Sequence, residues 1–254
     1  MESLSAAGRS LEYRLIPGEK PGRPTVVLLH EGLGSLALWK DFPQKVAVAT
    51  GCAVLTYSRY GYGGSERLAE SRGLDYMHRE ALDALPEVLA ALKIEDPVLL
   101  GHSDGASIAL IYAGGGKLPV PRGVVAMAPH VFVEDLSIAS IAQAKQVYAT
   151  TDLAKKLGRY HDDPDATFWG WNDIWLRPEF FHWNIEDVLP KIACPVMVIQ
   201  GADDEYGTLK QVGAIEAQVS GRCESVILPD CKHSPHRDQE AATLDAIARF
   251  IEAL

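Results

Sequence analysis

The sequence has no paired-cysteine motif, no long apolar run and no surplus of positive charge. Its four cysteines, Cys52, Cys194, Cys223 and Cys231, are scattered without a Cys-x-x-Cys pair, so the signature of a structural zinc site is missing. No apolar stretch approaches the roughly 20 residues that a bilayer-crossing helix needs. The opening MESLSAAGRSLEYRLIPG lacks the basic start and apolar middle of a secretory leader. A cytoplasmic protein with reduced thiols is the expectation that follows. Lys plus Arg number 24 against 34 Asp plus Glu, a formal net charge of -10. Such a surface does not attract nucleic acid or an anionic membrane, and neither is expected as a partner. The charge reads as ordinary solubility. No pattern encodes the oligomeric state, and a homodimer stays open.

What remains is an ordinary globular composition. The chain has 254 residues, 47% of them apolar and 23% charged, enough to build one large α/β domain around its own core. Short, β-branched, nearly continuous apolar runs recur at 25–30 (TVVLLH), 53–59, 97–103, 123–128, 195–200 and 225–228. Runs of this kind suit a sheet buried on both faces. Between them lie amphipathic stretches, among them Met77 to Leu92 and Gln239 to Leu254, with apolar residues at three- and four-residue spacing. Pro86 interrupts the first and is expected to kink it. The alternation predicts a mostly parallel sheet of about eight strands flanked by helices, with right-handed crossovers. The first residues read as an antiparallel hairpin turning near Ala7-Gly8-Arg9. One stretch, about 130–189, shows no strand and holds four of the five tryptophans. It reads as a helical cap inserted over the carboxyl edge of the sheet, leaving 1–129 and 190–254 as the core domain.

Gly101-His102-Ser103-Asp104-Gly105 fits G-x-S-x-G and lies between the strand PVLL and the helix-like ASIALIYA. A serine on so sharp a strand-to-helix turn has a strained backbone, so the residues two away on either side must be very small. The turn lifts the hydroxyl to a helix N-terminus, where backbone N–H groups can hold a developing oxyanion. A serine nucleophile needs a base, and the base needs an orienting acid. The strand PVMVIQ ends in Gly201-Ala202-Asp203-Asp204, and SVILP is followed by Asp230-Cys231-Lys232-His233. Asp203, Asp204 and Glu205 compete for the acid, with Glu134 or Asp135 after the preceding strand as a further choice. His233 and His236 compete for the base. His30 and His102 read as structural histidines.

These motifs, in this order, resemble the α/β-hydrolase superfamily over nearly the whole chain. The resemblance implies Ser103 as nucleophile, Asp204 (the family's G-x-x-D acid) and His233 (its late histidine, with Lys232 where glycine is usual). It places the early His-Gly oxyanion loop on His30-Glu31-Gly32-Leu33-Gly34, with Glu31 at a usual glycine. It also places the D-x-x-G-x-G-x-S turn on Ser58 to Ser65, serine replacing the leading aspartate. The oxyanion hole is then expected from the amides of Gly32 and Asp104. The Asp104 side chain either caps the following helix, pairs with a cation or donor, or touches substrate. Glu31, His130, Phe168, Trp169, Trp171 and Trp175 are candidate pocket residues. No metal or organic cofactor is called for. The expected activity is hydrolysis of a carboxylic ester of a small or medium molecule through an acyl-enzyme. A lactone, or a carbon–carbon bond of a β-diketone, would use the same three residues. A binding protein on a hydrolase fold is the non-enzymatic alternative.

Overall fold

The structure, a computed structural model, describes residues 2–116 and 118–254. The hairpin forms between β1 (Glu2–Ala6) and β2 (Arg9–Ile16), with Ala7 and Gly8 both at positive φ, 49° and 71°. Two such residues make the tight loop whose twist matches paired strands. Then come β3 (Thr25–Leu29), α1 (Phe42–Thr50), β4 (Ala53–Tyr57), α2 (Tyr76–Arg79), α3 (Leu85–Ala91), β5 (Val98–His102), α4 (Asp104–Gly114) and β6 (Gly123–Met127). Three helices follow, α5 (Asp135–Thr150), α6 (Leu153–Leu157) and α7 (Pro164–Trp175), before β7 (Val196–Gly201). The chain closes with α8 (Leu209–Gln218), β8 (Cys223–Leu228), α9 (Pro235–Asp238) and α10 (Glu240–Glu252).

The eight strands form one sheet in the order β1-β2-β4-β3-β5-β6-β7-β8. Pairing is antiparallel at β1–β2 and β2–β4 and parallel from β4 to β8. Side chains alternate between two buried faces. Val26, Leu28, Val54, Val98, Leu100, Val125, Met127 and Ile199 pack with α1 and α10 on one side. Val27, Leu29, Leu55, Leu99, Val124, Ala126 and Val198 pack with α2, α3 and α4 on the other. Burial on both faces is why these strands read as continuous apolar runs.

The sheet order places the site. From β3 the chain crosses to β4 on one side, then returns to β5 on the other. The loops leaving β3 and β5 therefore diverge, and a crevice opens at the carboxyl ends of these strands. The segment between β6 and β7 adds no strand to the sheet, and one bridge between Phe132 and Asn184 ties its entry to its exit. The helix expected over 77–92 is continuous but changes pitch. A π-type turn at Glu80–Ala84 joins α2 to α3, and Pro86 falls in the first turn of α3. The wider turn accommodates a residue that has no N–H to give, and the helix continues through it. Among the described residues no helix is long and apolar enough to cross a membrane.

Candidate active site

Ser103 is the link between β5 and α4, at φ 53° and ψ -120°, a conformation that costs a non-glycine residue on the order of 1–3 kcal/mol. Its N–H donates to the Met127 carbonyl at 2.9 Å, fixing the turn to the neighbouring strand. The flanking glycines are required by space. A Cβ on Gly101 would strike the Gly105 backbone, and one on Gly105 would strike the Leu29 carbonyl.

The competing acids and bases separate cleanly. Ser103 Oγ lies 2.9 Å from His233 Nε2, and His233 Nδ1 lies 2.9 Å from both Asp204 oxygens. Asp204 is further held by Gln200 Nε2 (2.7 Å) and by the N–H groups of Tyr206 (2.8 Å) and Gly207 (3.2 Å). Burial pushes its carboxyl up, but the bonds from His233 and the Tyr206 amide outweigh that and leave it below the ordinary value. Asp203 is exposed. Glu205 accepts the His233 backbone N–H. Glu134 binds Thr208 and Gln211 and so anchors the start of α8. Asp135 only opens α5. His236 is packed against Trp39, Phe42 and His102, and burial drops its pKa to about 3. His102 Nε2 meets the His233 carbonyl at 2.6 Å, so it supports the loop that carries His233.

The loop after β3 packs beside Ser103. Neither the Gly32 nor the Asp104 amide donates to a protein acceptor among the described residues. Both residues line a cavity of about 190 Å³ together with Ser103 and His233. Two free amides beside a nucleophile can receive the oxygen of a carbonyl under attack. Gly32 has no room for a side chain, because the Trp171 indole presses against its Cα. Glu31, in contrast, is absent from the non-glycine residues at positive φ, so its position needs no glycine. Its carboxylate approaches His102 Nδ1 at 3.6 Å. Burial pushes the Glu31 carboxyl up, but the histidines around it, His102 first, hold it well below the ordinary range. At Ser58 the missing aspartate is replaced from across the sheet. Glu12 Oε1 accepts from Ser58 Oγ at 2.6 Å and from the Gly64 N–H at 2.9 Å.

Asp104 does not cap α4. Its Oδ2 accepts from Tyr76 Oη at 2.7 Å and lies 4.0 Å from Arg59 Nη2, while Oδ1 is buried without a partner. Burial pushes this carboxyl up, against the pull of Arg59.

Of the residues expected to line the pocket, Glu31, His130, Trp171 and Trp175 do so. His130 is buried with its ring 5.7 Å from that of His233, and burial drops its pKa to about 3. Phe168 and Trp169 do not line the pocket, which corrects the expectation. Phe168 is fully buried and stacked on Tyr148 at 3.8 Å, and Trp169 packs edge-on to Tyr148 and faces an outer groove. Trp171 and Trp175 lie four residues apart on one face of α7, whereas Trp169 is about 200° around the helix from Trp171. Several cavity residues carried no motif: Ile141, Tyr206 and Ser234. Gln200 carried a signal that could have been used, as the one amide closing the apolar run PVMVIQ four residues before the acid.

This fold agrees with comparison to known proteins. The chain belongs to the Alpha/beta hydrolase family, whose model matches residues 26–246. It is similar to the bifunctional esterase/perhydrolase DCH of Acinetobacter calcoaceticus, 23% identical over 261 residues and spanning 90% of this chain and 92% of that protein. It is also similar to a proline iminopeptidase of Lactobacillus delbrueckii subsp. bulgaricus, 23% identical over 277 residues, 94% and 93% of the two chains. The crystal structure of the enol-lactonase from Burkholderia xenovorans LB400 shares the fold, with a TM-score of 0.76 at 19% identity over 99% of this chain and 100% of that one.

Proposed function

We propose that this hydrolase is a serine esterase that cleaves a small carboxylic ester through an acyl-enzyme. The observation that carries the reading is the relay from Ser103 Oγ through His233 to Asp204, every link at 2.9 Å, beside two unused amides. Ser103 Oγ attacks the ester carbonyl and His233 Nε2 takes its proton. The carbonyl electron pair moves to oxygen, which the Gly32 and Asp104 amides receive. Collapse expels the alcohol with the proton from His233. A water activated by the same imidazole then releases the acid. Asp204, kept ionised, holds the His233 proton on Nδ1 so that Nε2 is free to act as base.

A cavity of about 190 Å³ is below the usual range for drug-sized ligands and supports a short acyl group. Segment 130–189, read as a cap, supplies Ile141, Trp171 and Trp175 to its wall. The test is a fluorophosphonate probe together with hydrolysis of p-nitrophenyl acetate. Wild type is labelled and turns over, and Ser103→Ala does neither. A folded wild type that is neither labelled nor active would overturn the reading in favour of a ligand-binding protein. A panel of esters, lactones, amino-acid arylamides and vinylogous diketones, ranked by kcat/KM, tests the bond class. Highest efficiency on esters is expected.

A further inference from the structure

Arg59 is a buried cation that the mechanism above does not use. It is 2% exposed and lies in the turn after β4. Its Nη2 donates to the Glu31 carbonyl at 2.9 Å, and His30 Nδ1 sits 2.7 Å from the same oxygen. His30 Nε2 in turn faces the Arg59 backbone N–H at 3.1 Å and its Nε at 3.3 Å. Two donors aimed at Nε2 assign the His30 proton to Nδ1. Burial, reinforced by the Arg59 charge, keeps that imidazole neutral, its pKa well below the ordinary value. The Glu31 carbonyl therefore accepts from both side chains, and from the Gly34 N–H at 3.0 Å as well.

A trans peptide points its N–H opposite its C=O. With the Glu31 carbonyl turned to Arg59 and His30, the Gly32 N–H is turned away from them. It faces the side on which Gly32 lines the cavity with Ser103. Three hydrogen bonds to the carbonyl, two of them from these side chains, also polarise the peptide and strengthen its N–H as a donor. The same guanidinium lies 4.0 Å from the carboxylate of Asp104, whose amide is the other unused donor. A bare anion there would oppose negative charge growing on the substrate oxygen.

We propose that Arg59, with His30, positions the oxyanion site: it locks the 31–32 peptide with its N–H inward and offsets the Asp104 carboxylate behind the second amide. The proposal rests on Ser103 as nucleophile and on Gly32 as a donor. Arg59 acts through the peptide and does not touch the substrate.

The test uses Arg59→Met and Arg59→Lys in the full chain. Three quantities are read: kcat and KM for p-nitrophenyl acetate, the inhibition constant of phenylboronic acid, and the rate of fluorophosphonate labelling. The tetrahedral boronate on Ser103 puts an oxygen where the oxyanion forms, so it reports the same contacts. Loss of an oxyanion donor lowers turnover by about 10²–10³-fold. We expect Arg59→Met to lose kcat by about 10²-fold, to bind the boronate more weakly by a similar factor, and to keep KM within about threefold. Arg59→Lys retains a charge near Asp104 but cannot span both partners as the planar fork does, and should fall between the two. If the Met variant does not fold, the Lys variant is read by the same criteria. A folded Arg59 variant with kcat and boronate affinity both within about threefold of wild type would overturn the proposal. So would a rise in KM at unchanged kcat. Absence of labelling in wild type would instead locate the failure in the assignment of Ser103, and the proposal would fall with it.

Discussion

Replacing Asp204 by asparagine exchanges one carboxylate oxygen for NH₂, removes the charge and changes almost no volume, so its effect can be worked out atom by atom. Oδ1 receives the N–H groups of Tyr206 at 2.8 Å and Gly207 at 3.2 Å, so the asparagine oxygen must stay there. The new NH₂ then falls at Oδ2, 2.7 Å from Gln200 Nε2 and 2.9 Å from His233 Nδ1. Both neighbours would be donors facing a donor. Gln200 can turn its amide over, because its Oε1 is buried without a partner, at the cost of its 3.1 Å bond to the Gly207 carbonyl. His233 Nδ1 then faces an NH₂ at Oδ2 and, also at 2.9 Å, an oxygen at Oδ1 already shared by two N–H groups, which shifts the imidazole toward the tautomer with its proton on Nε2, facing Ser103 Oγ. It then has no lone pair with which to accept the serine proton. A wrong tautomer of this kind costs about 10⁴-fold in kcat in related triads, or about 5 kcal/mol in the barrier. The assay is steady-state hydrolysis of p-nitrophenyl acetate by Asp204→Asn, with a thermal melt to show that the variant is folded. Asp203→Asn is the control and should keep wild-type turnover, since its side chain is exposed. A folded Asp204→Asn within about tenfold of wild type would refute the tautomer argument.

Three further outcomes are expected. His236 is neutral in the fold with a pKa of about 3, whereas the unfolded chain takes up a proton near pH 6.5. The stability this contributes is complete above that unfolded value and is lost as pH falls toward the folded one, so urea unfolding at pH 5 and pH 7 should differ by about 2 kcal/mol from this residue. His236→Phe, packed against the same Trp39 and Phe42, should shrink the pH difference by that amount, and an unchanged difference would count against the buried neutral state. Gly105→Ala drives a methyl group into the Leu29 carbonyl, a backbone atom that cannot step aside; we expect a loss of about 3 kcal/mol or more by chemical denaturation, and a wild-type midpoint would disprove it. Phe168→Ala should cost about 3–5 kcal/mol of stability with KM little changed, while Trp171→Ala should alter kcat/KM far more per unit of stability lost. The reverse pattern, read by melting and kinetics together, would invert the assignment of these two rings.

The parallel strands β3 to β7 were legible because each is buried on both faces and so leaves a short apolar block between glycines and prolines. The turn around Ser103 was legible for a steric reason, since its two glycines answer to backbone atoms of Gly105 and Leu29 that exist in any version of this turn. The cavity wall was harder to read. Phe168, Trp169, Trp171 and Trp175 are equally aromatic on paper; the phase of α7 sets only Trp169 apart, while Phe168 shares the face of Trp171 and Trp175 and is kept from the pocket by its stacking on Tyr148. That phase was available in the four-residue spacing of Trp171 and Trp175. The stacking on Tyr148 was not. Tyr76, which binds Asp104 and accepts from Trp175 Nε1 at 3.1 Å, could not be foreseen. Its role depends on the packing of α2 against α4, and no local pattern encodes that.

The hand-over between Ser58 and Glu12 constrains how this turn can be altered. The niche that holds Gly64 and Ser65 in place has room for a single anion, and here it arrives from strand β2 rather than from the end of β4. Writing aspartate back at position 58 while Glu12 remains would crowd two carboxylates into one dry recess. Removing Glu12 first would strand the Ser58 hydroxyl and the Gly64 N–H. The two positions are a coupled pair, to be exchanged together or left alone, and a design that restored the commoner spelling one letter at a time would pass through a weakened protein in either order.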